Sequence, residues 1–290
     1  MIGSGLDPQL LADRAAYEQW AAERPLPPDV RRMPAPALGL GSFWIARRDV
    51  EADAPVVVYV HGGGFRVGSP RTGAVVGAAI AARVSVRILT VGYSLAPEHP
   101  FPTAAAEVTL ALEALLRHEP AVPVMLAGDS AGANLVLFAL RHSGIAAARV
   151  RGAALLCPLV DLTDAACASP ANSHDTGLST EVFAAIRRDY LSALHRAGPD
   201  DPDVSPVRAR LAGLPPLFVQ YSAAELLGPS IAGFVTRARA HGVDVTVDRW
   251  ARQSHLWQRF AGDDPASDGA VDRLARWLRQ RLAGGTSVTR

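Results

Sequence analysis

Lysine is absent from this 290-residue chain, and all 29 of its basic residues are arginine. That excludes Schiff-base and pyridoxal chemistry, and with them the lysine of a P-loop. Cysteine is almost absent too. Cys157 and Cys167 are the only pair; they fit neither a disulfide framework nor a zinc knuckle, and read as free packing thiols in a reducing compartment. An excess of one charge is also missing, since 28 acidic residues offset the arginines to a formal net charge of +1 and a pI near 7.9. Such a surface has no electrostatic footprint for nucleic acid or an anionic membrane. No run approaches the ~18 apolar residues of a membrane span. The opening stretch MIGSGLDPQLLADRAAYEQW has neither a basic n-region nor a continuous apolar h-region. The expectation is a cytoplasmic protein without cofactor or metal.

What is present is apolar and punctuated. Hydrophobic residues make up 49% of the chain, enough for one sizeable core, and Pro and Gly divide it into short runs that alternate in type. Residues 55–60, 86–91, 122–127, 151–157 and 216–221 are apolar runs of strand length, as expected of strands buried on both faces; 243–250 alternates and reads as an edge strand. Residues 103–117, 130–141, 230–240 and 268–283 suit helices. The last carries Val271, Leu274, Trp277, Leu278 and Leu282 as one stripe. This is an α/β chain, a doubly wound and mostly parallel sheet. Two segments break the rhythm: residues 1–40, with a helical pattern over 7–23 and a Pro-rich tether, and residues 158–205, inserted between two strand candidates. Both read as lid material on a core of 41–290. In the insert, Val182, Phe183, Ile186, Tyr190 and Leu194 recur at helical spacing, a stripe for packing that could also wall a pocket.

Chemistry concentrates where strand candidates end. Gly128-Asp129-Ser130-Ala131-Gly132 joins a strand run to a helical run. Such a G-x-S-x-G can be a Gly-rich turn with a capping serine, or a strained turn that lifts a nucleophilic hydroxyl clear of the sheet, as in α/β-hydrolases. A serine needs a base, an orienting acid and donors for the oxyanion. His61-Gly62-Gly63-Gly64-Phe65 follows the first strand run, and consecutive glycines leave backbone N–H groups open to an anionic oxygen. Gly63 and Gly64, with Ala131, are the expected oxyanion donors. Of eight histidines, His118, His142 and His241 sit at helix ends, His99 in a Pro-flanked turn, and His174 and His195 in the insert; His255 alone follows the last strand candidate. Glu225, just past the run 216–221, is the best acid. Asp161 and Asp203 are rivals. Asp129 reads as a structural support of the turn.

HGGGF, YSLAPEHPFP (93–102), GDSAGANL (128–135), CPLVDLT (157–163), DVSP (203–206), LAGLPPLFVQ (211–220) and SHLW (254–257) together resemble the hormone-sensitive lipase family of bacterial esterases over about residues 55–260. The resemblance implies an α/β-hydrolase fold with a small helical lid and a Ser-acid-His triad whose acid, counted from the Pro pair of GLPP, falls on Glu225. The implied partner is a small-molecule ester, lactone or acetylated compound, and a homodimer is compatible with it. The family also contains plant dehydratases and catalytically silent gibberellin receptors, so elimination in the same pocket, or ligand binding without catalysis, are the alternative readings. The chain departs from the family at three places. Gly228-Pro229-Ser230 stands where a further acidic pair usually follows the acid, Ser94 where arginine is common, and Arg252-Gln253-Ser254 where Gly-Met commonly precedes the histidine.

Overall fold

The computed structural model describes residues 6–35, 38–144, 149–167, 175–193 and 198–283. Leu194, His174 and His195 lie outside the described residues, as does the side chain of Cys167. The strands are β1 (Val30–Pro34), β2 (Phe43–Arg47), β3 (Val56–Val60), β4 (Arg87–Val91), β5 (Val124–Asp129), β6 (Val150–Leu156), β7 (Leu217–Ser222) and β8 (Val245–Trp250). They form one sheet in the order β1-β2-β4-β3-β5-β6-β7-β8. β1 and β2 run antiparallel to their neighbours and all other pairs are parallel. As its alternation predicts, β8 is an edge strand.

The helices are α1 (Pro8–Ala22), α2 (Pro70–Ala81), α3 (Thr103–His118), α4 (Ala131–His142), α5 (Thr180–Tyr190), α6 (Gly228–Ala240) and α7 (Pro265–Ala283). Strand pleating sorts the core into two layers. Val56, Val58 and Val60 of β3 face α3, α4 and α6 through Leu112, Leu115, Val136, Leu140, Ile231 and Phe234. Val57 and Tyr59 face α2 and α7 through Ile80, Val271, Leu274, Trp277 and Leu278. The apolar runs of the central strands are unbroken because both faces are covered.

Three elements escape the sequence reading. Helix α2 has small residues on every side and is buried nearly all round, so it shows no stripe for periodicity to find. β1 carries two arginines and ends in proline, which suits an edge. Its pairing with β2 divides the expected lid segment 1–40: α1 lies over the molecule, whereas Val30–Pro34 extends the sheet. Among the described residues no helix is long and apolar enough to cross a membrane.

β3 is followed by α2 on one face and β5 by α4 on the other, so the carboxyl ends of β3 and β5 border the crevice where such sheets bind ligands. Glycine makes the approach possible. A Cβ on Gly132 would stand 2.1 Å from the Val60 carbonyl oxygen, and one on Gly128 2.7 Å from the Gly132 carbonyl. Gly132→Ala should therefore cost at least about 3 kcal/mol or prevent soluble folding, because backbone cannot yield as a side chain can. Gly144→Ala, with nothing within 4 Å, should stay within about 0.5 kcal/mol. Urea denaturation of both variants checks this, and equal stabilities would contradict it.

Candidate active site

The turn between β5 and α4 holds Ser130 at φ 50° and ψ −115°, a region a non-glycine residue occupies only when its surroundings enforce it, at about 1–3 kcal/mol. Phe65, Cys157 and Leu256 also have positive φ, at 61°, 46° and 62°. All four lie just beyond the carboxyl ends of β3, β5, β6 and β8, where the sheet delivers its loops to one place.

His255 bridges two of those loops. Its Nδ1 lies 2.6 Å from Glu225 Oε2 and its Nε2 2.9 Å from Ser130 Oγ. With the proton on Nδ1 donated to the carboxylate, Nε2 is free to accept the serine hydroxyl proton. Glu225 is fully buried, and its other oxygen accepts the backbone N–H of Ser222 at 2.8 Å. Ser222 Oγ in turn accepts the N–H groups of Ala224 and Gln253, at 3.1 and 2.9 Å, which ties the loop after β7 to the loop after β8.

The glycine loop after β3 stands opposite. Gly63 and Gly64 have φ of 111° and 61°; a Cβ on the first would lie 2.2 Å from Val67 O and one on the second 2.5 Å from Ile186. Among the described residues the N–H groups of Gly63, Gly64 and Ala131 have no hydrogen-bond acceptor. Asp129 fastens this loop to the serine turn, its Oδ1 accepting the Tyr59 hydroxyl at 2.9 Å and the Gly62 N–H at 3.0 Å. Burial pushes its carboxyl pKa up, and these two donors oppose the shift. The structural role read for Asp129 is thus the one its contacts describe.

A cavity of about 160 Å³ opens beside Ser130 and His255, walled by Leu178, Val182, Ile186 and Leu256 on its apolar side and by Asp13, Tyr17 and Arg259 on its polar side. A larger depression of about 880 Å³ lies between residues 23–28, α2 and the start of α7; no serine, threonine, cysteine, tyrosine or histidine lines it. The stripe expected in the insert does both things open to it, since Phe183, Ile186 and Tyr190 are buried in α5 while Ile186 and Val182 also line the cavity.

A sequence model of the α/β hydrolase fold matches residues 57–259, more than half of the chain. Among curated proteins the chain is similar to an acetyl-hydrolase of Streptomyces hygroscopicus, 31% identical over 247 residues and covering 83% of this chain and 80% of the relative. It is also similar to esterase LipI of Mycobacterium tuberculosis, 30% identical over 259 residues, 87% of this chain and 80% of that one. The crystal structure of an esterase from the bacterial hormone-sensitive lipase family superposes with a TM-score of 0.86 at 32% identity, covering 96% of this chain and 94% of that chain. This chain belongs to the hormone-sensitive lipase family of α/β-hydrolases. It is an ester-hydrolysing enzyme.

The rival acids of the esterase are occupied elsewhere. Asp161 Oδ1 accepts the Thr163 N–H at 2.9 Å, and Asp203 pairs with Arg141 and His142, both at 2.8 Å. Cys157, Glu225 and His255 are the one group among the described residues with metal-ligand spacing. His255 and Glu225 bond each other directly, which leaves no position between them for an ion. Cys157 is a buried free thiol, pushed well above its ordinary pKa by burial. Of the departures from the family, Ser94 gives its N–H and hydroxyl to Glu107, at 2.7 and 2.9 Å.

Two sets of contacts around the site are missing from the sequence reading. α1 is pinned over the glycine loop by Arg14, which donates to Arg66 O, to Ala96 O and to both oxygens of Glu98. α5 is held to the same loop by the stacked rings of Phe65 and Tyr190, 3.6 Å apart, and by the buried Arg66–Asp189 pair at 2.6 Å. These contacts join residues far apart in sequence and carry no local signal.

His61 is buried, stacks on Tyr93 at 4.2 Å, and holds its Nδ1 2.8 Å from Gly62 O. Burial lowers its pKa from 6.5 to about 4. The unfolded chain therefore takes up this proton as pH falls through 6.5, the folded chain only near 4, and stability drops across that window by roughly 3 kcal/mol. Above pH 6.5 the contribution is whole. In His61→Asn, whose amide can keep the bond to Gly62 O, this part of the pH dependence should vanish. The stability gap between variant and wild type should then narrow as pH is lowered from 7 to 4 in urea denaturation, and parallel pH curves would refute the assignment.

Proposed function

We propose that Ser130 is the nucleophile, His255 the general base and Glu225 the orienting acid of a serine carboxylesterase that acts on short acyl esters through an acyl-enzyme. The observation that carries this reading is the imidazole of His255, within 2.6 Å of Glu225 and 2.9 Å of Ser130. Ser130 Oγ attacks the ester carbonyl carbon as its proton passes to Nε2, and the imidazolium formed is stabilised by the Glu225 carboxylate. The carbonyl oxygen becomes an oxyanion that the N–H groups of Gly63, Gly64 and Ala131 receive; each such donor is worth on the order of 3 kcal/mol in comparable sites. His255 then protonates the leaving alkoxide. A water molecule, deprotonated by the same imidazole, hydrolyses the acyl-enzyme and restores the serine.

The cavity supports short acyl groups, since 160 Å³ corresponds to about five water-sized volumes. The name of the Streptomyces relative, acetyl-hydrolase, points the same way. α1 and residues 175–193 act in this proposal as lid walls. A cytoplasmic setting belongs to it as well, supported by the free buried thiol of Cys157.

A fluorophosphonate probe should label Ser130 alone, read by peptide mass mapping; a label elsewhere with undiminished inhibition would overturn the nucleophile. An acyl-enzyme accumulating with a slow ester would separate hydrolysis from elimination. Glu225→Gln should lower kcat by about 10⁴ with little change in KM, as the wrong imidazole tautomer becomes favoured, and a loss below about tenfold is too small for a triad member. Across p-nitrophenyl esters, kcat/KM should peak at or below C8. A maximum on C16 would contradict the short-acyl reading.

A further inference from the structure

We infer that Asp175, in the insert ahead of α5, is a positioning residue that clasps the acid and the base of the triad to each other and to the wall of the pocket. Its carboxylate is engaged on both oxygens. Oδ2 accepts the backbone N–H of Leu226, the residue after Glu225, at 3.0 Å; Oδ1 accepts the backbone N–H of His255 itself at 2.9 Å and that of Gly177 at 2.9 Å. One side chain thus spans two loops that lie 51 and 80 residues away in sequence and belong to different strands.

The segment that carries it is pressed onto the base. A Cβ on Gly177 would stand 2.4 Å from His255 O and 2.9 Å from its Cβ, so the chain at 177 passes as close to His255 as glycine allows. Gly177 and the next residue, Leu178, line the cavity beside Ser130. The wall that meets the substrate and the clasp that fixes the triad are therefore one short stretch of chain.

This clasp also accounts for the departure after the acid. Gly228, Pro229 and Ser230, the first residues of α6, offer no carboxylate just after Glu225, yet the Leu226 N–H between them and the acid is bound, by a carboxylate supplied from the insert. A bond to an ionised acceptor is about twice as strong as a neutral one, and Asp175 makes three.

The inference rests on the triad reading above, and its test is separable from the test of that reading. Asp175→Ala removes the clasp. Asp175→Asn keeps one oxygen for His255 and Gly177 but turns an amide NH2 towards the Leu226 N–H, breaking the acid-loop half alone. Because a displacement near 1 Å at a reacting group can cost about a hundredfold in rate, kcat on p-nitrophenyl acetate should fall by roughly that factor in Asp175→Ala. It should fall by an intermediate factor in Asp175→Asn, with KM within about threefold in both. The low-field proton resonance of the short His255–Glu225 hydrogen bond should be present in the wild type, and broadened or lost in the variants as kcat falls. A loss of thermal stability alone, with kcat and the resonance as in the wild type, would make Asp175 structural and overturn the inference. If Asp175→Ala does not fold, Asp175→Asn decides by the same two readouts. Dependence on Ser130 is measured in the wild-type enzyme, so failure of the triad reading and failure of the clasp appear in different proteins.

Discussion

Helix α4 begins against the end of strand β3, with the Cα of Gly132 so near the Val60 carbonyl that a methyl group could not stand between them. Everything in the candidate site depends on that approach. Only so close a passage makes the chain turn from β5 into α4 within one residue, and the turn leaves Ser130 in a backbone conformation that it would not choose alone. The strain is borne by the two core layers, which bury β3 and β5 completely from both sides. Asp129 extends the same constraint sideways, because its bonds to Tyr59 and Gly62 lock the turn to the glycine loop. Ser130 and the glycine loop are thus fastened together by the fold itself, and in the proposed mechanism donors that need no reorganisation stabilise developing charge most effectively.

Two buried carboxylates lie in this body, and hydrogen bonding assigns them different work. Asp129 spends an oxygen on two donors from β3 and its loop, and burial raises its pKa. Glu225 takes one backbone N–H from Ser222 and leaves its other oxygen for the imidazole. The two histidines divide in a parallel way. Among the described residues His61 has no charged partner, its pKa is depressed to about 4 by burial, and it remains a neutral, buried support of the glycine loop at ordinary pH. His255 lies between the Ser130 hydroxyl and the Glu225 carboxylate, the placement that the proposed proton transfer uses.

The walls are held as firmly as the centre. α1 and α5 could have been loose covers, but Arg14 binds the first to two carbonyls of the core, and a stacked ring pair with a buried ion pair binds the second. A buried ion pair is weak evidence for stability, since desolvation offsets most of its attraction; here the geometry argues for register instead. Arg66 follows the glycine loop directly, so the position of Asp189 sets where α5 lies against Gly64, and Ile186 then defines how far the cavity extends from the N–H groups of that loop.

These differences in holding also explain which parts could be read from the chain. The central strands, α3, α4, α6, α7 and the positions of Ser130, His255 and Glu225 are written in local pattern: apolar runs, stripes, and glycines where a turn needs them. α2 hides because a helix buried all round has no polar face, and β1 because an edge strand can hold arginines. The contacts that fasten α1, α5 and residue 175 to the site leave no trace of that kind. An aspartate two residues before a glycine looks like any surface turn, and nothing in its neighbours tells that two of its three donors, Leu226 and His255, lie beyond position 220. Local pattern encodes what a segment becomes, whereas a clasp between segments depends on where the whole sheet has placed them. The members of the candidate site are therefore legible one by one, and the geometry that brings them together is a property of the folded chain.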